Sequence, residues 1–514
     1  MNSVRTLRHR WRTMTLQEWT ISEMQSMMTT GKLTSRRLAE LYLERINAID
    51  SNGPKVNAVI ETNPDALAIA SSLDNERRRG KTRGSLHGIP VLIKDNIDTH
   101  DRMQTTSGSL ALAGHIAPRD AFIVKKLRSA GAVILGKTNL SEWSNFRGKR
   151  SVSGWSSRGG LTRNPYALDR SACGSSSGSG AAVAANLCAA AIGAETDGSL
   201  ICPSQTNGIV GIKPTLGLWS RSGMIPVAHS QDTAGPMART VADAAILLGA
   251  LTGVDEGDSA TRLSKKRAFE DYTQFLDKNG LKGARIGVAR RMVGTDKRII
   301  KIFESCLDVM KQMGAVIVDP ADVPNFKKLH KTEMEVLYYE FKTDLNKYLA
   351  STKARVKTLA EVIKFNEENK GRVMPYFGQE DMELAQKKGS LHDKKYRDAL
   401  AKNHRLTRKE GIDVTMRTHK LDAIVVPSGG PSWTIDLVNG DAINWDMDCT
   451  SPAAVAGYPH ITVPAGYIFG LPVGISFFAK AWQEPTLIRL AYAFEQATKV
   501  RKPPEFRPTA SLNP

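Results

Sequence analysis

The spacing of apolar positions along the chain changes character near residue 88. Before that point apolar residues recur at helical intervals. Thr20-Ile21-Ser22-Glu23 has the form of a capping box and Gly31 supplies a stop, which together predict a first helix. A second helix is predicted to begin near Thr34, with Leu38, Leu41, Leu43 and Ile46 on one apolar stripe. From Gly88 onward, short β-rich runs alternate with helical stretches. Gly88-Ile89-Pro90-Val91-Leu92-Ile93 is a buried-strand candidate ending at Lys94, and Ala132-Val133-Ile134-Leu135 is another, with a helix over 120–130 between them. A helix over 181–191 precedes a strand at Ile209-Val210-Gly211-Ile212. Strand, helix and strand follow again at 284–289, 297–313 and 315–318, and further strands are expected at 423–426 and 460–463. This alternation predicts an α/β fold with a mostly central sheet. Residues 327–420, strongly charged and helical, interrupt it and read as a helical insertion or cap.

Composition narrows the class. The chain has 514 residues, 41% of them hydrophobic and 24% charged, as in ordinary globular proteins. No apolar run approaches the roughly 18 residues that a membrane-spanning helix needs, and no membrane partner is expected. The net charge of +19 raises a nucleic-acid reading, so its location matters. Residues 161–260 hold five Lys and Arg against eight Asp and Glu, whereas residues 327–420 hold 22 against 14. The positive excess thus lies away from the Ser/Gly-rich centre, interleaved with acids as on a solvated helix face. No nucleic-acid-binding motif accompanies it, and no nucleic-acid partner is expected. Residues 1–13 carry Arg5, Arg8, Arg10 and Arg12 with no acid and no apolar segment behind them, and read as a basic tail, with a transit peptide as the alternative and Met14 an alternative start. Cys173, Cys188, Cys202, Cys306 and Cys449 form no CxxC pair and are expected to be reduced thiols in a cytoplasmic protein. No histidine cluster has metal-ligand spacing, and neither metal nor organic cofactor is expected.

The densest chemistry runs from Ser171 to Thr215, a Ser/Gly-rich stretch with few charges. Its glycines let backbone N–H groups converge into a hole for an anion, either a phosphate or a tetrahedral oxyanion. A phosphate loop is disfavoured, because the GxxxxGK[ST] order is absent and Lys213 lies far downstream. Gly174-Ser175-Ser176-Ser177-Gly178 matches the G-x-S-x-G elbow with Ser176 central. That elbow needs a buried strand immediately before it, and residues 166–171 are polar and broken.

A third reading rests on resemblance. Gly88-Ile89-Pro90-Val91-Leu92-Ile93-Lys94-Asp95-Asn96 resembles the lysine motif of the amidase signature family. Gly136-Lys137-Thr138-Asn139-Leu140-Ser141-Glu142 is similar to the element that follows it in that family. Ser175-Ser176 matches the family's first serine pair, and Asp197-Gly198-Ser199 its nucleophile loop. Gly211-Ile212-Lys213-Pro214-Thr215 and Gly235-Pro236-Met237-Ala238-Arg239-Thr240 close the signature, and a late block from Ser451 to Gly474 resembles the family's C-terminal portion. The resemblance implies a single large α/β domain over 14–510, with a central mixed sheet surrounded by helices. Within it, 88–245 would be the catalytic region and 327–420 the insertion. It also implies Ser199 as nucleophile, Ser175 as bridging serine and Lys94 as terminal base, with an oxyanion hole from the backbone N–H groups of Thr196, Asp197, Gly198 and Ser199. These side chains suit those roles. A serine hydroxyl attacks only when a base takes its proton, and lysine is a base only when desolvation lowers its pKa.

Two positions depart from the family pattern. Asp197-Gly198 stands where most members have two glycines, and Leu200-Ile201-Cys202-Pro203 lacks the arginine that many place two residues after the serine. Both features resemble the branch that contains the bacterial peptide amidase. Asp197 is open to a role in an acyl pocket or in a structural hydrogen bond, and Cys173 and Cys202 are expected to be packing thiols. The expected function is hydrolysis of a carboxamide, on a peptide or amino-acid derivative, to carboxylate and ammonia through an acyl-enzyme. The alternatives are an amidotransferase A-type subunit that supplies ammonia to a partner, and a nucleic-acid-binding protein on an inactive scaffold. A homodimer stays open.

Overall fold

The computed structural model describes residues 16–442 and 449–512; the expected basic tail over 1–13 lies outside them. An eleven-stranded mixed sheet organises the chain. Its strands are β1 (Val59–Thr62), β2 (Pro90–Lys94), β3 (Val133–Thr138), β4 (Ala190–Glu195), β5 (Val210–Lys213), β6 (Thr233–Ala238), β7 (Arg285–Val288), β8 (Val316–Val318), β9 (Ala423–Pro427), β10 (His460–Ile468) and β11 (Leu471–Phe478). Across the sheet they run β1-β3-β2-β4-β6-β5-β10-β11-β9-β7-β8. β2 lies parallel to both β3 and β4, and β7 to both β8 and β9. The pairs between β4 and β9 are antiparallel. No helix among the described residues is long and apolar enough to cross a membrane.

The N-terminal helices form where the capping pattern puts them. Helix α1 (Ile21–Thr29) starts at a complete capping box between Thr20 and Glu23. Helix α2 (Ser35–Arg45) starts where the Thr34 hydroxyl accepts the Arg37 N–H, and buries Leu38 and Leu41. The expected helix over 181–191 is corrected. Helix α3 spans Ser177–Ala184, and the chain then enters strand β4 at Ala190. Alanine is a strong helix former, and a run buried on all sides carries no periodicity to separate helix from strand. Every residue of α3 and of β4 is buried. The small side chains of α3 are a packing requirement, since a Cβ on Gly178 would fall 2.3 Å from the Ala58 carbonyl oxygen and 2.5 Å from that of Asn139.

Three sheet strands had no expectation attached. β1 is short and half-exposed. β6 holds Pro236, tolerated because pairing with β5 begins only at Met237. β11 turns back from β10 at Phe469 and Gly470, both at positive φ (53° and 77°), as a two-residue hairpin requires.

Residues 327–420 are helical, as their charge pattern suggests. Helix α4 (His330–Ala350) is the longest, followed by α5 (Leu359–Glu368), α6 (Glu380–Gln386) and α7 (Lys394–His404). Leu337, Phe341 and Leu345 of α4 share an apolar cluster with Trp143, Phe146, Ile225 and Val227. That cluster clamps the block against loops at the C-terminal end of β2.

The cysteine expectation fails at one pair. Cys173 and Cys202 form a disulfide, while Cys188, Cys306 and Cys449 are buried thiols outside it. Sequence spacing could not show this pair, because its two members come together only when the loop before α3 meets the short helix Ile201–Thr206. Closing a loop of 29 residues contributes about 3 to 4 kcal/mol in the chain-entropy account. The denatured, unreduced chain should therefore release three equivalents in a thiol titration and five after reduction. A Cys173→Ser/Cys202→Ser variant should lose stability of that order in denaturant melts.

Candidate active site

Lys94 is the last residue of β2, at the end of a run from Pro90 in which every residue is buried. The strand lies between β3 and β4, so it delivers the lysine into the middle of the molecule. Lys94 Nζ lies 2.7 Å from Ser175 Oγ and donates to the Ala194 carbonyl at 3.1 Å. With Lys94 only 1% exposed, desolvation lowers its pKa to about 7, against opposing attraction from Asp232 and Glu195. The neutral amine is thus well populated near neutral pH, and its lone pair can accept the Ser175 proton.

Ser175 and Ser176 stand next to each other but have separate surroundings. The Ser176 hydroxyl donates to the Ala194 carbonyl at 2.9 Å and accepts the Ala194 N–H at 3.1 Å. That engagement makes Ser176 a bracket between α3 and β4 and leaves Ser175 as the serine on the lysine. The elbow reading also fails on its strand. Residues Ala167–Ser171 pair with Arg163–Asn164 in a two-stranded ribbon and make single bridges to Arg507 and Thr434, all outside the central sheet. The Ser175 carbonyl accepts the Ser141 N–H at 3.1 Å, which is what the expected element over 136–142 does here. Lys137, in the same element, is wholly buried and donates to the Ile97 carbonyl at 2.6 Å and to Thr105 Oγ1 at 2.9 Å, so it is structural.

Ser199 lies in the turn between β4 and the Ile201–Thr206 helix, 7% exposed. Its carbonyl accepts the Ser176 N–H at 3.0 Å, which brings the two serine loops together through the backbone. No hydrogen bond joins the Ser175 and Ser199 hydroxyls among the described residues. Gly198 adopts φ 72°, in the left-handed region that favours glycine. The N–H groups of Gly198 and Ser199 donate to no protein acceptor among the described residues. Thr196 and Asp197 complete the expected four-residue turn.

Sequence reasoning missed three residues that shape this turn. Glu195 Oε2 accepts the N–H groups of Leu200 at 2.8 Å and Ile201 at 3.0 Å, fixing the entry to the helix. Asp232 Oδ1 accepts the Thr196 hydroxyl at 2.6 Å, while its other oxygen accepts the N–H groups of Val227 and Ala228. Burial raises the Asp232 carboxyl to about 6, so above that pH its charge opposes the lowering of the Lys94 pKa more than that of Glu195 does. Gln231 donates to the Thr196 carbonyl at 3.2 Å. Their signal in the sequence is faint: an acid closing an alanine-rich run, and a polar pair just before Thr233.

A small pocket lies beside Ser175, lined by Asn96, Ala194, Thr196, Met224, Ile225 and Asp232 among others. One group of metal-type side chains occurs among the described residues: His229, Glu340 and Asp344. Its members are engaged with protein partners. His229 Nδ1 pairs with Asp344 Oδ2 at 2.8 Å, and Glu340 accepts the Ser230 N–H at 2.9 Å and the Tyr396 hydroxyl at 2.7 Å. The group joins the 227–232 loop to α4.

Known proteins extend this picture. The family model for amidases matches residues 37–488. A probable amidase of Arabidopsis thaliana is 42% identical over 504 residues, covering 96% of this chain and 93% of its own. A glutamyl-tRNA(Gln) amidotransferase subunit of Pseudomonas aeruginosa is 32% identical, covering 94% of this chain and 98% of its own. The X-ray structure of native peptide amidase from Stenotrophomonas maltophilia superimposes with a TM-score of 0.91 at 49% identity, covering 95% of this chain and 98% of that one. By sequence along most of its length and by fold, the chain belongs to the amidase family and is a hydrolase of amide bonds.

Proposed function

We propose that the chain hydrolyses a carboxamide through a Ser199 acyl-enzyme, with Ser175 and Lys94 as its proton relay. The observation that carries this reading is the 2.7 Å contact between Ser175 Oγ and a buried Lys94 whose pKa lies near neutrality. Ser199 Oγ attacks the carbonyl carbon, its proton passes to Ser175, and the Ser175 proton passes to neutral Lys94. The negative charge that develops on the carbonyl oxygen faces the N–H groups of Thr196, Asp197, Gly198 and Ser199. On collapse the C–N bond breaks, the relay returns a proton to the leaving nitrogen, and ammonia departs. Water then attacks the ester by the same relay and releases the carboxylate.

The likeness to peptide amidase supports a peptide or amino-acid amide as substrate. The likeness to an amidotransferase component favours a second reading, in which the same centre supplies ammonia to a partner. Partner dependence separates them: ammonia release from peptide amides by the chain alone supports the first, and release from glutamine only with a partner supports the second. The cytoplasmic location expected from the cysteine pattern assumed reduced thiols at 173 and 202. The disulfide speaks instead for an oxidising environment.

Ser199→Ala should lower ammonia release by roughly 10⁴-fold or more and abolish covalent labelling by a fluorophosphonate. Near-normal activity in Ser199→Ala, with loss in Ser176→Ala, would return the elbow reading. Lys94→Ala should also lose most of its activity.

The acid limb of kcat/KM should reflect Lys94, with the rate rising as pH passes upward through about 7 and the amine becomes neutral. Because Asp232 stabilises the ammonium form, Asp232→Asn should move that limb to lower pH. A limb that stays in place or moves to higher pH would remove Lys94 as the titrating base.

A further inference from the structure

The peptide group between Thr196 and Asp197 is a rigid plane, with the Thr196 carbonyl and the Asp197 N–H pointing to opposite sides. Whatever holds that carbonyl therefore aims that N–H. The holder is Gln231, whose side-chain nitrogen donates one hydrogen to the Thr196 carbonyl at 3.2 Å and the other to Glu333 Oε1 at 3.0 Å. Gln231 is 2% exposed and Glu333 5%, so water competes poorly for either bond. The next residue, Asp232, holds the Thr196 hydroxyl at 2.6 Å. Thr196 is thus gripped at its carbonyl and its side chain by consecutive residues of one loop.

Helix α4 in turn grips that loop. Glu333, Glu340 and Asp344 are spaced by seven and four residues, which places them on one helical face. Glu340 accepts the Ser230 N–H at 2.9 Å, and Asp344 accepts the His229 N–H at 3.0 Å. Three successive residues, 229 to 231, are therefore tied to the charged helical block. We propose that Gln231 is a positioning residue for the oxyanion hole, aiming the Asp197 N–H through the Thr196 carbonyl, and that α4 keeps it in register through Glu333. This rests on the reading of 196–199 as the oxyanion hole.

A donor misaimed by a fraction of an ångström loses its grip on the transition state more than on the substrate. Gln231→Ala and the nearly isosteric Gln231→Met should lower kcat on a peptide amide by roughly 10- to 100-fold, with KM within about 2-fold. A peptide aldehyde, which can add the serine to form a tetrahedral adduct, should lose affinity in proportion. The matching peptide alcohol, which cannot, should bind as it does to the wild type. Glu333→Ala should show part of the loss, and the double variant Gln231→Ala/Glu333→Ala should be no slower than Gln231→Ala. A loss carried by KM, an equal loss for aldehyde and alcohol, or an unchanged kcat in both Gln231 variants overturns the proposal. Ser199→Ala run alongside separates the two levels: if it stays active the parent reading falls, and if it is dead while Gln231 variants are normal only this inference falls.

Discussion

Lys94 sits where water does not reach it, and its charged form there has lost the hydration that holds an ordinary lysine near pKa 10.5. That loss suits it to the proposed role of base, and it also constrains everything nearby. A charge too strongly favoured would return the lysine to its ammonium form, and a site with no partner would expel it. The surroundings lie between these limits. One hydroxyl and one carbonyl meet the amine, while two acids, Asp232 and Glu195, oppose the desolvation without pairing with it directly. Both acids are engaged elsewhere, Glu195 with backbone N–H groups and Asp232 with Thr196 and the 227–228 backbone. Their charge is thereby held at fixed positions.

The Ala194 carbonyl is the point where the site's parts are registered against each other. It accepts from both Lys94 Nζ and Ser176 Oγ. The end of β2, the loop before α3 and the end of β4 thus share one oxygen. A shift of β4 relative to β2 would disturb the lysine and the first serine pair together. The proposed relay would therefore depend on strand register, and wholly buried, small-residue segments surround it: alanine, glycine and serine let backbones approach within hydrogen-bonding range.

Much of this was legible in the sequence because the relevant signals are local. The Thr20 capping box, the strand ending at Lys94 and the helical charge pattern over 327–420 each depend on a few neighbouring residues, and each appears in the structure. What stayed hidden was non-local or without period. β4 is an alanine-rich segment whose strand character comes from its neighbours β2 and β6. The Cys173–Cys202 bond and the Gln231–Thr196 contact span 29 and 35 positions, and neither has a composition signal. Lys94, Ser175 and Ser199 were visible only through their joint context, since each alone reads as an ordinary residue.

The two departures from the family pattern, at 197 and 201, become intelligible from the same geometry. The segment 173–177 is tied to 194–202 by the disulfide, by the Ser176 N–H to the Ser199 carbonyl, and by the two bonds between Ser176 and Ala194. Glu195 holds the turn from below through the backbone of Leu200 and Ile201. None of these ties uses the side chain at 197 or at 201. The backbone of the proposed oxyanion turn can keep its place while those side chains change, provided glycine remains at 198, where φ is positive. Variation at 197 and 201 is therefore compatible with the proposed relay.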